Sequence, residues 1–319
     1  MVELHVHLDG AIKPSTCLCL YHQLHLPLPE KRLEDFSKLI IADPKAKNLG
    51  EVLKAFDYTD AVIQKEWTLK LVTDELVHDL YEQGVDYAEI RFAPVLSTRE
   101  GLSQAQVIDA VIAGVEQAKA SCPGIEIGLL LCLMRSDLVS EEENMETVRL
   151  AIEAKGSIVC GLDLAGDEAR FPLSRYEKLF RAANEANIPY TIHAGEVDAP
   201  ENVRLAIELG AKRLGHATSM AKYPDLMALA RDRQVMVECC LTSNFGTKEI
   251  ASLKDHAIRK FMDYGIPVCL NTDDPVLFQT SMRLEYKLAK ELFHFSEKEK
   301  RRMGEEAYSY RFYNNPRWE

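Results

Sequence analysis

The stretch Asn187-Ile188-Pro189-Tyr190-Thr191-Ile192-His193-Ala194-Gly195-Glu196 leaves a helix-like segment as a short apolar run. It ends in a loop that carries a histidine and, three residues on, a carboxylate. The run has the length and composition of a buried strand. At the end of such a strand His193 can bind a metal while Glu196 stays off it and moves a proton. One such pair is ordinary in a globular chain, where most are structural or solvated. Its meaning depends on whether other strand ends supply partners.

Outward from this stretch, strand and helix alternate. Upstream lie strands Val2 to His7, Val85 to Ala93, Ile125 to Leu133 and Ile158 to Leu164. Downstream lie Lys212 to Gly215, Gln234 to Cys240 and Ile266 to Leu270. Helical periodicity fills the intervals at Ser103 to Ala120, Glu141 to Lys155, Leu173 to Ala186, Glu201 to Leu209, Tyr223 to Asp232 and Ser252 to Tyr264, and returns in a charged tail from Ser281 to Phe312. Strands rich in Val, Ile and Leu, each followed by a helix, predict an α/β fold, a parallel (β/α)8 TIM barrel. The exception is a helical insertion after the first strand, at about residues 14–83. It reads as helices at Pro14 to His22 and Glu30 to Leu39, then a helical hairpin of Asn48 to Asp60 and Trp67 to Gln83 that Gly84 stops. Such an insertion can cap an active-site mouth or simply pack. No Gly/Ser-rich linker, repeat or low-complexity run divides the 319 residues, which suit one barrel domain over 1–319.

Composition narrows the partners. The net charge of −12, from 38 basic and 50 acidic residues, disfavours nucleic acid and anionic membranes, both of which need clustered Lys and Arg. No apolar run approaches the ~20 residues of a membrane span, and no signal-peptide pattern opens the chain. The eight Cys include a vicinal pair at Cys239-Cys240 and no CxxC, so they read as reduced thiols of a cytoplasmic protein. His5 lies only four residues past Met1, which suggests a trimmed N terminus.

In such a barrel the C-terminal ends of all strands meet at one face, which holds the active site. His5 and His7, two apart on the first strand, leave the same strand face and form a pincer for a transition metal. His193, His216 and Asp273 end three further strands. Three or four imidazoles with one carboxylate make a zinc-type set of ligands. A strand-end Asp is often only a helix cap and a single His a loop residue. Five such groups at four strand ends are harder to explain that way.

His-Val-His-Leu-Asp-Gly at 5–10, Leu-Ala-Gly-Asp-Glu at 164–168, His-Ala-Gly-Glu at 193–196, Gly-His at 215–216 and Asn-Thr-Asp-Asp-Pro at 271–275 resemble, in order, the motifs of the adenosine and adenine deaminase family. The resemblance spans residues 5 to 275. It implies one Zn2+ per chain held by His5, His7, His193 and Asp273, with Glu196 as proton donor to the purine. It implies His216, with the free oxygen of Asp273, as the group that orients or deprotonates the attacking water. Substrate contacts would come from Asp274 to N7, the Gly166 N–H to N3 and Asp9 to the ribose 5′-hydroxyl, with His7 beside them. Asn48 to Tyr58, including Leu53 and Phe56, is similar to the family's gate over the purine. Where the family often has Gly after the second of these strand-end histidines, this chain has Ala217, whose methyl narrows the pocket if it points inward.

The reaction so implied is hydrolytic deamination of adenosine and 2′-deoxyadenosine to inosine, 2′-deoxyinosine and ammonia. Glu196 can act as the acid only if desolvation and neighbouring carboxylates keep it protonated. A two-metal hydrolase would need a bridging lysine at the end of the fourth strand, where this chain has Asp163 to Glu168. The nucleic-acid-editing deaminases use H-x-E with P-C-x-x-C, which is missing. Alternatives are a deaminase of free adenine or of 6-amino-6-deoxyfutalosine, and, in a different class, a non-catalytic zinc or purine binder. Asp9 favours the nucleoside, because adenine deaminases tend to carry Glu there.

Overall fold

In a computed structural model, which describes residues 1–43, 45–315 and 318, eight parallel strands close into a barrel. They are β1 (Val2–His7), β2 (Tyr87–Phe92), β3 (Glu126–Arg135), β4 (Val159–Gly166), β5 (Thr191–Ala194), β6 (Arg213–His216), β7 (Met236–Cys239) and β8 (Val268–Leu270). Two ladders, β1-β2-β3-β4 and β5-β6-β7-β8, are joined by single parallel bridges, Leu162 to Tyr190 on one side and Val6 to Asp273 on the other. The second bridge positions the site. Asp273 N donates to His5 O and His7 N donates to Asp273 O, each at 2.8 Å, so the chain after β8 is laced directly into the HxH strand.

The strands are almost wholly buried, as near-continuous apolar runs in a parallel sheet should be. Among the apolar residues stand inward charges: Glu3, Glu89, Arg91, Asp163, Arg213 and Glu238 all have 0% exposure. Buried charges persist only when paired; five of these pair with one another, while Glu3 accepts from Thr272 and the His5 N–H. Arg213 binds Glu89 at 2.5 Å and Glu238 at 2.6 Å, and Arg91 binds Asp163 at 2.7 Å and Glu238 at 3.0 Å. The tail plugs the barrel's other end. Phe312 N donates to Glu89, and its ring lies under the Arg213 guanidinium at 3.7 Å. The tail beyond Pro275, which carries little of the family signature, thus helps to balance the interior charges.

The outer helices begin where their caps stand. Ser103 and Ser140 form reciprocal capping boxes with Gln106 and Glu143. Several expected elements are broken. The 48–60 helix is three short pieces, Leu49–Val52, Leu53–Ala55 and Phe56–Val62, because Val52 and Phe56 pack with Leu277 and Phe278 in a cluster separate from the main core. The tail is two helices, Met282–Phe293 and Glu297–Ser309, divided at left-handed His294 and restarted by a Ser296 capping box. The 173–186 segment opens as a 3-10 turn, Leu173–Tyr176, before Glu177–Glu185. The 252–264 segment divides into Leu253–Asp255 and Ile258–Asp263. Leu241–Gly246, after the seventh strand, is a further short helix. All eight Cys are free thiols, and no helix among the described residues is long and apolar enough to cross a membrane.

Candidate active site

The barrel mouth opens into a cavity of about 1050 Å³ lined by His7, Asp9, Gly166, His193, Glu196, His216, Asp273 and Asp274, together with Leu49, Val52, Leu53 and Phe56 from the insertion. The structure therefore gathers the predicted residues at one place, with His5 beneath them, fully buried. Within this group, His5, His193, His216 and Asp273 offer donor atoms all within 4.8 Å of one another. His7 joins through His193, Nε2 to Nε2 at 3.3 Å, and through Asp273 Oδ1 at 3.4 Å.

Close approach dictates two glycines. A Cβ on Gly10 would fall 1.9 Å from Asp274 Oδ1, and one on Gly215 would fall 3.0 Å from the His5 ring, so neither motif position admits a side chain without displacing the site. His216 and Asp273 themselves adopt φ of 62°, an unusual conformation for residues with a Cβ. Such strain, of order 1–3 kcal/mol each, persists only where the surroundings over-determine it. Ala217 is left-handed too, at φ 49°, and is not among the described lining residues of the cavity. Its methyl costs backbone strain and leaves the pocket width unchanged.

The groups around the metal-type cluster fix its rings. His5 Nδ1 lies 2.8 Å from Glu238 and His193 Nδ1 lies 3.0 Å from Asp163, so both rings donate outward and turn Nε2 lone pairs inward. His5 Nε2 is buried without a hydrogen-bond partner, 3.1 Å from Asp273 Oδ1. Inward lone pairs facing a carboxylate repel one another unless a cation lies between them. A nitrogen-rich donor set with one oxygen suits Zn2+. Burial alone would raise Glu238, but Arg91, Arg213 and His5 outweigh it and hold its carboxyl well below the usual range.

Glu196 stands apart from these donors. It is 4% exposed, and its Oε2 lies 4.0 Å from His216 Nε2. Burial, then Glu249, Asp273 and Glu168, push its pKa well above the ordinary value, with Arg135 opposing. Its loop is held by Glu168, which accepts from Gly195 N at 2.9 Å, Glu196 N at 3.0 Å and Asn202 Nδ2 at 3.0 Å. Asp274 is likewise raised by burial, Asp273 and Asp9, and its Oδ1 has no partner. Asp9, half-buried, shares a 4.8 Å group with His7 and Asp274, and desolvation raises its pKa to about 6.

Sequence reasoning missed Arg91, Glu238, the supporting roles of Asp163 and Glu168, and Ser243, which donates to Asp273 Oδ2 at 2.6 Å. It also missed Asn244, His256 and Asp60. Asp60 is 7% exposed and lines the cavity, Arg99 binds one of its oxygens at 2.9 Å, and the other has no partner. Charges inside apolar strands were the available signal for the first of these.

A (β/α)8 barrel with imidazoles and carboxylates converging at its C-terminal mouth has the architecture of a metal-dependent hydrolase. The adenine deaminase of Arthrobacter aurescens has the same fold, at TM-score 0.89 and 24% identity, covering 99% of this chain and 94% of that one. The apo N6-methyl-AMP deaminase of Arabidopsis thaliana superposes at TM-score 0.86 with 29% identity, over 98% and 91% of the two chains. The family model described as adenosine deaminase matches residues 1–318, and the adenosine deaminase of Enterococcus faecalis is 35% identical over 90% of this chain and 85% of its own. The chain belongs to the adenosine deaminase family. It is a hydrolytic deaminase with a His/Asp metal-binding cluster.

Proposed function

We propose that the protein deaminates adenosine and 2′-deoxyadenosine with one Zn2+ per chain, held by His5, His7, His193 and Asp273. The observation that carries this reading is the placement of Glu196. A buried carboxyl whose pKa is pushed well above the ordinary value, off the metal-type cluster but facing the same cavity, is what a purine ring needs in order to accept electrons. Bound Zn2+ would supply a nucleophile at neutral pH by lowering the pKa of water toward about 7. Glu196 delivers its proton to N1 as C6 is attacked. His216 and the second oxygen of Asp273 aim the incoming oxygen, and Ser243 fixes that carboxylate. Asp274, with its free Oδ1, takes N7, and Gly166 N–H takes N3. The apolar Leu53 and Phe56 cover the ring and exclude water.

The solved neighbour from Arabidopsis acts on a nucleotide, so the 5′ end of the substrate needs its own argument. Asp9 and Asp60 both line this cavity, and burial, then Asp9, raise Asp60 to about 8. Arg99 is committed to Asp60. A dianionic phosphate set against Asp9 and Asp60 would meet two carboxyls, whereas a neutral 5′-hydroxyl can donate to Asp9; the cavity's other cationic side chains are Lys54, Arg170 and Arg135, the last with no partner on its guanidinium nitrogens. Adenosine should therefore surpass AMP, N6-methyl-AMP, adenine and 6-amino-6-deoxyfutalosine in kcat/KM. A preference for either monophosphate or for free adenine would overturn the nucleoside assignment.

The Asp9 contact can be isolated. A hydrogen bond to a charged group contributes roughly 1.5–3 kcal/mol, about 10- to 150-fold in specificity. 5′-Deoxyadenosine should be poorer than adenosine by that factor in the wild type. Asp9→Ala should lose a similar factor on adenosine and little on 5′-deoxyadenosine. Equal, independent losses would mean that the two groups never meet.

A further inference from the structure

We infer that Asn244 and His256 form a relay fixing the neutral His216 ring with its proton on Nε2, so that His216 enters the reaction as a hydrogen-bond donor and neither as a metal ligand nor as a base. The relay starts at a group whose polarity is beyond choice. The backbone N–H of Ile258 donates to His256 Nδ1 at 3.1 Å, so that nitrogen holds a lone pair. His256 is 4% exposed, and burial lowers its pKa to about 3, so the ring is neutral and its single proton sits on Nε2. That N–H lies 3.1 Å from Asn244 Oδ1 and donates to it. Turning the amide over would set two donors face to face. The amide nitrogen therefore faces His216, and Nδ2 donates to His216 Nδ1 at 3.1 Å. With that lone pair occupied, the proton of a neutral His216 is left on Nε2, the nitrogen 4.0 Å from both Glu196 Oε2 and Asp273 Oδ2.

This decides between two donor sets that distance alone leaves open. Among the described residues His216 belongs to a group of four donors, with His5, His193 and Asp273. Ligation through Nε2 would require its proton on Nδ1, the Asn244 amide reversed, and His256 Nε2–H left against an NH2 group. His5 and His193 carry no such obstacle, because their outer partners are carboxylates that accept from Nδ1 and free Nε2. Outer hydrogen bonds thus sort three of the histidines. A carboxylate behind the ring makes a ligand, and an amide nitrogen behind it makes a donor. The fourth ligand position falls to His7. Asn244 and His256 touch neither substrate nor metal and are positioning residues.

The inference rests on the proposed deamination only in placing His216 beside the attacking oxygen, and the ring proton can be read without substrate. Zn2+-loaded protein labelled with 15N-histidine, its spectrum assigned with His216→Gln and His256→Gln, reports each ring's proton through long-range 1H–15N couplings. Both His216 and His256 should be neutral with the proton on Nε2. A wild-type His216 with its proton on Nδ1, or doubly protonated, would overturn the relay, and this spectrum decides the matter whether or not a variant folds. In Asn244→Asp the new carboxylate can only accept, so a proton should appear on His216 Nδ1. There kcat should fall at least about 10²-fold with little change in KM, since holding a catalytic imidazole in the wrong tautomer costs about 10⁴ in a serine protease. An unchanged tautomer or an unchanged kcat in that variant would equally contradict the assignment.

Discussion

Glu196→Gln should bind metal and purine nucleoside as the wild type does while kcat falls by about 10²–10⁴. Glutamine keeps the shape of the side chain and can donate a hydrogen bond to the ring nitrogen, but it has no proton to release. Its neighbours should stay in place, because Glu168 holds the loop through backbone N–H groups that the substitution leaves untouched. Burial and three nearby carboxylates push the Glu196 pKa well above the ordinary value, the direction in which a neutral amide becomes the closer mimic of the side chain. KM should therefore change far less than kcat, the pattern of an interaction made chiefly in the transition state. Turnover within tenfold of wild type would show that another group supplies the proton.

Glu238→Ala should be the most damaging change outside the cavity. One carboxylate answers three buried cations or donors: Arg91 at 3.0 Å, Arg213 at 2.6 Å and His5 Nδ1 at 2.8 Å. Removing one partner of a buried pair costs about 3–5 kcal/mol, because the charge left behind cannot be rehydrated. Arg91 retains Asp163 and Leu4 O, and Arg213 retains Glu89, so the interior loses balance without losing every bond. A fall in Tm of several degrees should follow, together with a loss of about 10- to 100-fold in metal affinity as the His5 ring loses its anchor. Glu238→Gln separates the two effects, since its amide oxygen can still accept from His5 while the charge is gone. It should lose stability yet keep most of its metal affinity. A Glu238→Ala protein with unchanged Tm would show that the interior charges are not mutually dependent.

The contrast between these two residues explains what the sequence made legible. His5, His7, His193, His216 and Asp273 stand at strand ends within short local patterns, and the barrel topology alone brings such ends together. Glu238 has no local pattern, for its partners His5 and Arg91 lie 233 and 147 residues away. What marked it was a charge in the middle of a four-residue apolar strand, and a buried charge demands a partner without naming one. The His216–Asn244–His256 chain was hidden for a further reason. Its meaning lies in the direction of each hydrogen bond, which depends on the backbone N–H of Ile258. Helix boundaries failed where tertiary contacts overrode periodicity, as at 48–60, whose apolar residues face Leu277 and Phe278. Strand eight, expected over Ile266 to Leu270, pairs only over Val268–Leu270.

The central claim, hydrolysis of adenosine at a single metal, is met most directly by titrating Zn2+ into metal-free protein while measuring ammonia released from adenosine, with inosine followed in the ultraviolet. Ammonia and inosine should appear in equal amounts, and the rate should rise linearly and level off at one equivalent of Zn2+ per chain. A rate that climbs to two equivalents, or the absence of ammonia from a fully loaded protein, would contradict it.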